Sequence, residues 1–279
     1  MSMMKPPVAT APVYSSDAYL LLDGLALEVP VMAYSLDDHP RIEPLFRGTR
    51  HADIIEVSPW LVKPSRGGQL LTAPRTWQKH GIFLRSSAPM SALAEHLRSL
   101  ISVRLPSRQL AYCRFHAPRW ASRLLESMSP DELSAWCGPV TEWQVYTRGA
   151  WQVYQNRNPG PTRTAADEGW FQISQGQIAR WQAEESENFI DRAATFFGCR
   201  KEHPEYPQQR ARIIRLIRQA EGYGLSMEYQ VLHYLELAWR FESELGHPSW
   251  VAHLSDQTQD ADTRLRHAEQ KLFGLIEGA

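Results

Sequence analysis

Apolar positions change their spacing near residue 89 and again near residue 156, and these two changes divide the chain. Before the first, Tyr19-Leu20-Leu21-Leu22-Asp23-Gly24 is a continuous apolar run stopped by a turn, which predicts a buried strand. Asp53 to Val62 and Ile82-Phe83-Leu84 predict further strands. Pro59 interrupts the first of these, so Ser58-Pro59-Trp60 is expected at an edge or a bulge. From Pro89 onward Met90, Leu93, Ala94, Leu97, Leu100 and Ile101 recur three and four apart, the spacing of an amphipathic helix.

The next apolar run, with Leu110, Tyr112 and Phe115, suits a short and mostly buried strand leading into a corner at Arg114-Phe115-His116-Ala117-Pro118-Arg119. Pro118 can open a helix because a first helical turn needs no amide hydrogen there. Trp120, Leu124 and Leu125 give that helix its apolar stripe, and Ser129-Pro130-Asp131-Glu132 is a capping box that starts another. Gly138 and Pro139 end it. Two related tetrapeptides follow, Trp143-Gln144-Val145-Tyr146 and Trp151-Gln152-Val153-Tyr154, and they predict a β-hairpin with Trp and Val on one face of each arm. Packing against a core explains such a hairpin. Trp and Tyr are also enriched at interfaces, so Trp143, Tyr146, Trp151 and Tyr154, with Trp170 and Trp181 beyond them, are the candidate protein-binding residues.

Past the polar, turn-forming segment Asn156 to Arg163 the pattern is helical throughout. Ser174 with Gln177 forms a second capping box, and Ile178, Trp181, Phe189, Ala193 and Phe196 continue a stripe to Gly198. Ile213 to Ile217 mark a second helix ending near Gly222. Val231 to Leu245 mark a third, closed by Gly246 and Pro248, and Leu265 to Ile276 a fourth. The expected architecture is α+β: a flexible tail over 1–16, a mixed domain with a small sheet over 17–155, a linker over 156–168 and an all-α lobe over 169–279.

Composition narrows the function more than the fold. Thirty basic and 31 acidic side chains leave a formal charge of -1, which argues against bulk attraction to nucleic acid or an anionic membrane. Cys113, Cys137 and Cys199 are too scattered for a disulfide framework, the Met1 to Pro7 start lacks a secretory pattern, and a cytoplasmic protein is expected.

The strong enzyme signatures are absent from the sequence: it has no Gly-x-Ser-x-Gly elbow, phosphate loop, dinucleotide fingerprint or His-Glu-x-x-His. Asp37-Asp38-His39 offers metal-compatible groups, but neighbours in sequence point apart and Pro40 follows, so a solvated loop is expected and no metal or cofactor. Cys113 with His116 suggests a thiol and a base, without a group to orient the imidazole. Arg114 and Arg119 are expected to tie down the corner rather than hold a free anion. Arg210, Arg212, Arg215 and Arg218 read as a solvated face balanced by Glu184, Glu185 and Glu187, with an anion-binding or nucleic-acid-binding module as the alternative. His233 is expected to be a satisfied, partly buried histidine.

Seven short segments occur in an order that carries a family resemblance: Tyr19 to Gly24, Pro44 to Gly48, Ser58 to Val62, Gly81 to Leu84, His96-Leu97-Arg98, Arg114 to Arg119, and Gly138-Pro139-Val140. Over about residues 17 to 155 the chain resembles the type VI secretion adaptor chaperones, the Tap or TEC proteins. Pro59, Arg114, Phe115, Pro118, Arg119, Gly138 and Pro139 fall on the family's structural motif. Where the family has an aromatic residue and then an aspartate before the proline, this chain has His116 and Ala117, so that place lacks a carboxylate to pair with Arg114 or Arg119. The resemblance implies a non-catalytic cytoplasmic protein that binds one toxic effector and promotes its loading on the VgrG spike. A cleft lined by the hairpin and the first C-terminal helix is the expected effector site. The rival reading is a hydrolase using His116 or the Asp37-Asp38-His39 loop.

Overall fold

The computed structural model describes residues 8–9, 11–242 and 246–277, and its α+β chain divides into two compact units, 1–179 and 180–279. The first is built on an antiparallel sheet. In chain order its strands are β1 (Val8–Ala9), β2 (Ala18–Asp23), β3 (Arg41–Pro44), β4 (Pro59–Lys63), β5 (Gly81–Arg85), β8 (Glu142–Thr147) and β9 (Ala150–Gln155), arranged β1-β9-β8-β5-β2-β4-β3. A separate ribbon pairs β6 (Ser102–Arg104) with β7 (Leu110–Tyr112).

The apolar run at 19–22 became β2, buried along its whole length between β5 and β4. Alternation sends Ala18, Leu20 and Leu22 to one face, where they meet Val29 and Ala33 of α1 (Val29–Leu36), Trp77 and Phe83. α2 (Met90–Ser99) follows the predicted helical spacing, with Leu93, Ala94 and Leu97 buried. α3 (Pro118–Ser127) opens on Pro118, and α4 (Pro130–Cys137) is capped reciprocally by Ser129 and Glu132. The hairpin forms as expected. Its two-residue turn puts both Arg148 (φ 54°) and Gly149 (φ 79°) in the left-handed region, the turn whose twist matches paired strands.

Several sequence expectations shift. Residues Ala52–Val57 form a 3₁₀ helix, so the strand expected from Asp53 is shorter and starts at Pro59. Pro59 is the first residue of an interior strand, a place where a missing N–H is tolerated. Leu110 and Tyr112 are exposed (44% and 45%) in a three-residue strand, while Phe115 is buried. Trp120 lies outside the α3 core stripe, with the Arg123 guanidinium 5.1 Å from its ring. Asp37 is buried rather than solvated: it accepts hydrogen bonds from His39 N, Ser65 N and Ser65 Oγ, while Asp38 and His39 are exposed.

The two units divide between residues 179 and 180. Residues 156–168 fall in the first unit and hydrogen-bond to it through backbone and side-chain groups. Asn156 Nδ2 donates to Val140 O at 3.1 Å, Gly160 N to Gly138 O at 2.9 Å and Arg163 N to His96 Nδ1 at 3.2 Å. Within the expected tail, Val8 and Ala9 pair with Gln152 and Trp151.

α5 (Gln175–Phe196) begins at the Ser174/Gln177 box and runs into the second unit. α6 (Tyr206–Gly222), α7 (Glu228–Arg240), α8 (Pro248–Ser255) and α9 (Ala261–Glu277) complete it. Ile213, Leu216, Tyr234, Leu235, Trp250, Leu254, Leu265 and Ala268 form its core. The helix expected to reach Leu245 stops at Arg240, and Pro248 begins the separate α8; Leu245 lies outside the described residues. Phe196 is 57% exposed and leaves the α5 core stripe before the chain reverses at Gly198.

Candidate functional site

The corner at 114–119 is tied to the end of β2. Asp23 is buried; its Oδ1 accepts from Leu25 N at 3.0 Å and its Oδ2 from Arg114 at 3.1 Å. Arg114 therefore finds its carboxylate 91 residues upstream. His116 Nε2 lies 3.8 Å from the same Oδ2. Burial pushes the His116 imidazole down to about 4 against the pull of Asp23, and the nearby Arg114 lowers it further. At neutral pH it is uncharged.

Around this tie the surface is apolar. Phe46, His51 and Tyr112 pack as a ring cluster, with centroids 5.1 Å apart for Phe46 and His51 and 5.7 Å for His51 and Tyr112. They line a groove of about 250 Å³ with Leu25, Ile54 and Val57, and Asp23, Arg114 and His116 reach it too. Leu25 is 69% exposed and Ile54 46%, so the rim carries apolar side chains that no fold contact has covered. The 3₁₀ turn that replaced the expected strand is what turns Ile54 outward. Spacing alone could not separate an apolar residue on such a rim from one in the core.

The corner has no activated nucleophile. Burial raises the Cys113 thiol to about 12, and Cys137 likewise, so both hold their protons; Cys199 is also buried and free. Among the described residues no cluster of three or more His, Cys, Asp and Glu side chains could hold a metal ion, and no helix is long and apolar enough to cross a membrane.

The other motif residues act in the fold. Phe115 packs edge-on to Trp136 with centroids 6.4 Å apart, and Arg119 is exposed on the first turn of α3. Gly138 takes φ 52°, and a Cβ there would lie 2.2 Å from the His96 ring. His96 is fully buried and bridges Trp136 O at 2.9 Å and Arg163 N, so its Nε2 donates and its Nδ1 accepts. Burial lowers its pKa more than the Trp136 hydrogen bond raises it, and Arg163 adds to the lowering. Pro139 O accepts from Ser86 Oγ at 2.8 Å.

Of the six candidate binding aromatics, Trp143, Trp151 and Tyr154 are buried (0%, 5% and 8% exposed). Trp151 packs on Trp77 at 5.7 Å, and Tyr154 hydroxyl donates to Glu126 at 2.7 Å. Tyr146, Trp170 and Trp181 are half-buried. Trp170 lies under the Arg163 guanidinium, 3.8 Å from its ring centroid, and donates to Ser99 Oγ. In the second unit the arginine row is largely paired: Arg210 with Glu187, Arg212 with Glu242 at 2.9 Å and Arg215 with Glu242 at 3.8 Å. His233 lies 3.4 Å from Glu269.

Residues 18–135 match the family model described as a domain of unknown function, DUF4123. The match runs from the start of β2 into α4 and contains Asp23, Phe46, His51, Tyr112, Arg114 and His116, every side chain of the corner and its ring cluster. No curated protein and no solved structure matches the chain.

Proposed function

We infer that this protein is a non-catalytic cytoplasmic adaptor that binds one type VI secretion effector and promotes its loading on a VgrG spike. The observation that carries the reading is the apolar groove at the Asp23–Arg114 tie, with exposed Leu25, Ile54 and Tyr112 gathered around charges that already neutralise one another. Such a surface favours capture of an apolar segment over turnover of a polar substrate. The family match supports the same reading, since DUF4123 domains are associated with type VI effector adaptors. Against the hydrolase alternative stand the burial of His116, a Cys113 thiol that keeps its proton and an Asp37 carboxylate already engaged by the N–H groups of His39 and Ser65. Against the nucleic-acid alternative stand the carboxylates that hold Arg210, Arg212 and Arg215.

Tyr146, Trp170 and Trp181 are proposed as further contacts, with Trp143, Trp151 and Tyr154 holding the hairpin that presents Tyr146. The test is to purify the tagged full-length protein from bacteria expressing the secretion apparatus and identify stoichiometric partners. A toxin-like effector and a spike protein are expected. Recovery of neither overturns the reading. An effector that is recovered with the wild type and lost with Ile54→Asp assigns the contact to the groove.

A further inference from the structure

Among the described residues no strand pairs with the outer edge of β3, which lies inside a groove. β3 is the last strand of its sheet, and Leu45 N donates to Pro59 O at 2.9 Å, which fixes the phase of its pairing with β4. Residues 41, 43 and 45 turn their N–H and C=O groups toward β4, so those of Ile42 point out of the sheet. The groove beside them has a volume of about 450 Å³ and is walled from both faces. Ile42 packs on the cluster containing Val29 and Ala33 of α1, the helix that supplies Tyr34 to the groove. Glu43 faces the other way and pairs with Arg98 of α2, the helix that supplies Met90 and Ala94.

We propose that this edge docks a short extended segment of a partner protein, which adds as one further strand at Ile42 and places an acidic side chain against Arg41. The backbone geometry selects an extended chain, because Ile42 offers one N–H and one C=O to a single residue of an incoming antiparallel strand. Flanking prolines make the site short. Pro40 and Pro44 have no N–H, and the Pro44 carbonyl already accepts from Arg98 at 3.2 Å, so pairing centres on one residue and cannot spread along the edge. Charge selects the occupant further: Glu43 and Glu95 are both held by Arg98, whereas Arg41 is exposed and forms no ion pair among the described residues. Tyr34, 60% exposed, offers a ring to a side chain on one face of the added strand.

This proposal rests on the adaptor reading only for the identity of the partner. The probe is a displayed library of random ten-residue peptides, panned on the full-length protein. Selected peptides are expected to alternate apolar and other residues, to carry Asp or Glu, and to slow exchange of the Ile42 amide. Ile42→Pro removes the outward N–H while leaving the β4 ladder intact, and should weaken binding by about tenfold or more. Arg41→Glu and Ser91→Trp, at exposed positions of the groove, test the site if the proline variant does not fold. Peptides that bind all three variants like the wild type overturn the proposal, and so does a library that yields no extended acidic binder. An effector that co-purifies undiminished with all three variants also overturns it, while leaving the adaptor reading intact.

Discussion

Arg114 donates to the Oδ2 of Asp23 at 3.1 Å, joining the last residue of a central strand to the corner that opens α3. The Asp23 side chain is 7% exposed whereas that of Arg114 keeps 47% of its surface, so the two partners contribute unequally. Asp23→Asn should lower unfolding free energy by about 1–2 kcal/mol, since it removes a charge-assisted bond at a buried acceptor. Arg114→Ala should cost under about 1 kcal/mol, because water replaces an exposed guanidinium. Denaturant titration of both single variants and the double variant measures the coupling; equal costs would refute the asymmetry.

Acid should act on the fold through His116. Its folded pKa lies near 4 and its unfolded value near 6.5, so the folded state binds fewer protons between them. The sign follows from that: the contribution is fully present above pH 6.5 and is lost as pH falls through 6.5 toward 4. His96, also lowered by burial, adds to the same loss. His116→Gln should therefore show a shallower decline of stability between pH 6.5 and 4 than the wild type, read from melts across that window.

How much of this was legible beforehand depended on whether the signal was local. β2, α2, the two capping boxes and the hairpin each follow from residues within a few positions, and they form where the pattern put them. The 3₁₀ turn at Ala52–Val57 reads as strand because Ile54 and Ile55 are apolar; nothing local says that they face outward. The Asp23–Arg114 tie was hidden for another reason. Its partners are 91 residues apart, and the only trace in the sequence was an arginine at a corner with no carboxylate beside it. The bonds made by residues 156–168 were hidden in the same way, since the composition of a turn does not disclose which groups it will bind.

Burial reassigns the hairpin tryptophans. Trp143 is fully buried, and Trp143→Ala should destabilise the first unit by about 3–5 kcal/mol through lost contacts and a cavity. Tyr146→Ala, at a half-buried position, should cost appreciably less. A loss of partner binding in the Trp143 variant is informative only beside its melting curve.

Gly138 combines a positive φ with a ring in the space a side chain would need. Gly138→Ala should cost more than about 2 kcal/mol, adding backbone strain to a displaced His96. His96→Ala, itself costly because it removes a buried bridge, should cost less in the Gly138→Ala background than in the wild type, because there it also relieves the clash, while the dihedral strain remains. Calorimetry of the pair separates the two.

Cys113 and Cys137 should resist thiol reagents in the folded protein at neutral pH and react once it is unfolded, as protonated, buried sulfur predicts. Rapid labelling of either in the native state would contradict their placement.

Arg98 has a consequence for recognition that goes beyond its ion pairs. One guanidinium holds Glu43 on β3, Glu95 on α2 and the carbonyls of Pro44 and Leu45, so the edge strand is immobilised before anything meets it. A segment that joins this edge need not freeze the strand it joins. The entropy of ordering falls on the visitor alone, and a contact of only two backbone hydrogen bonds can then be selective without being permanent.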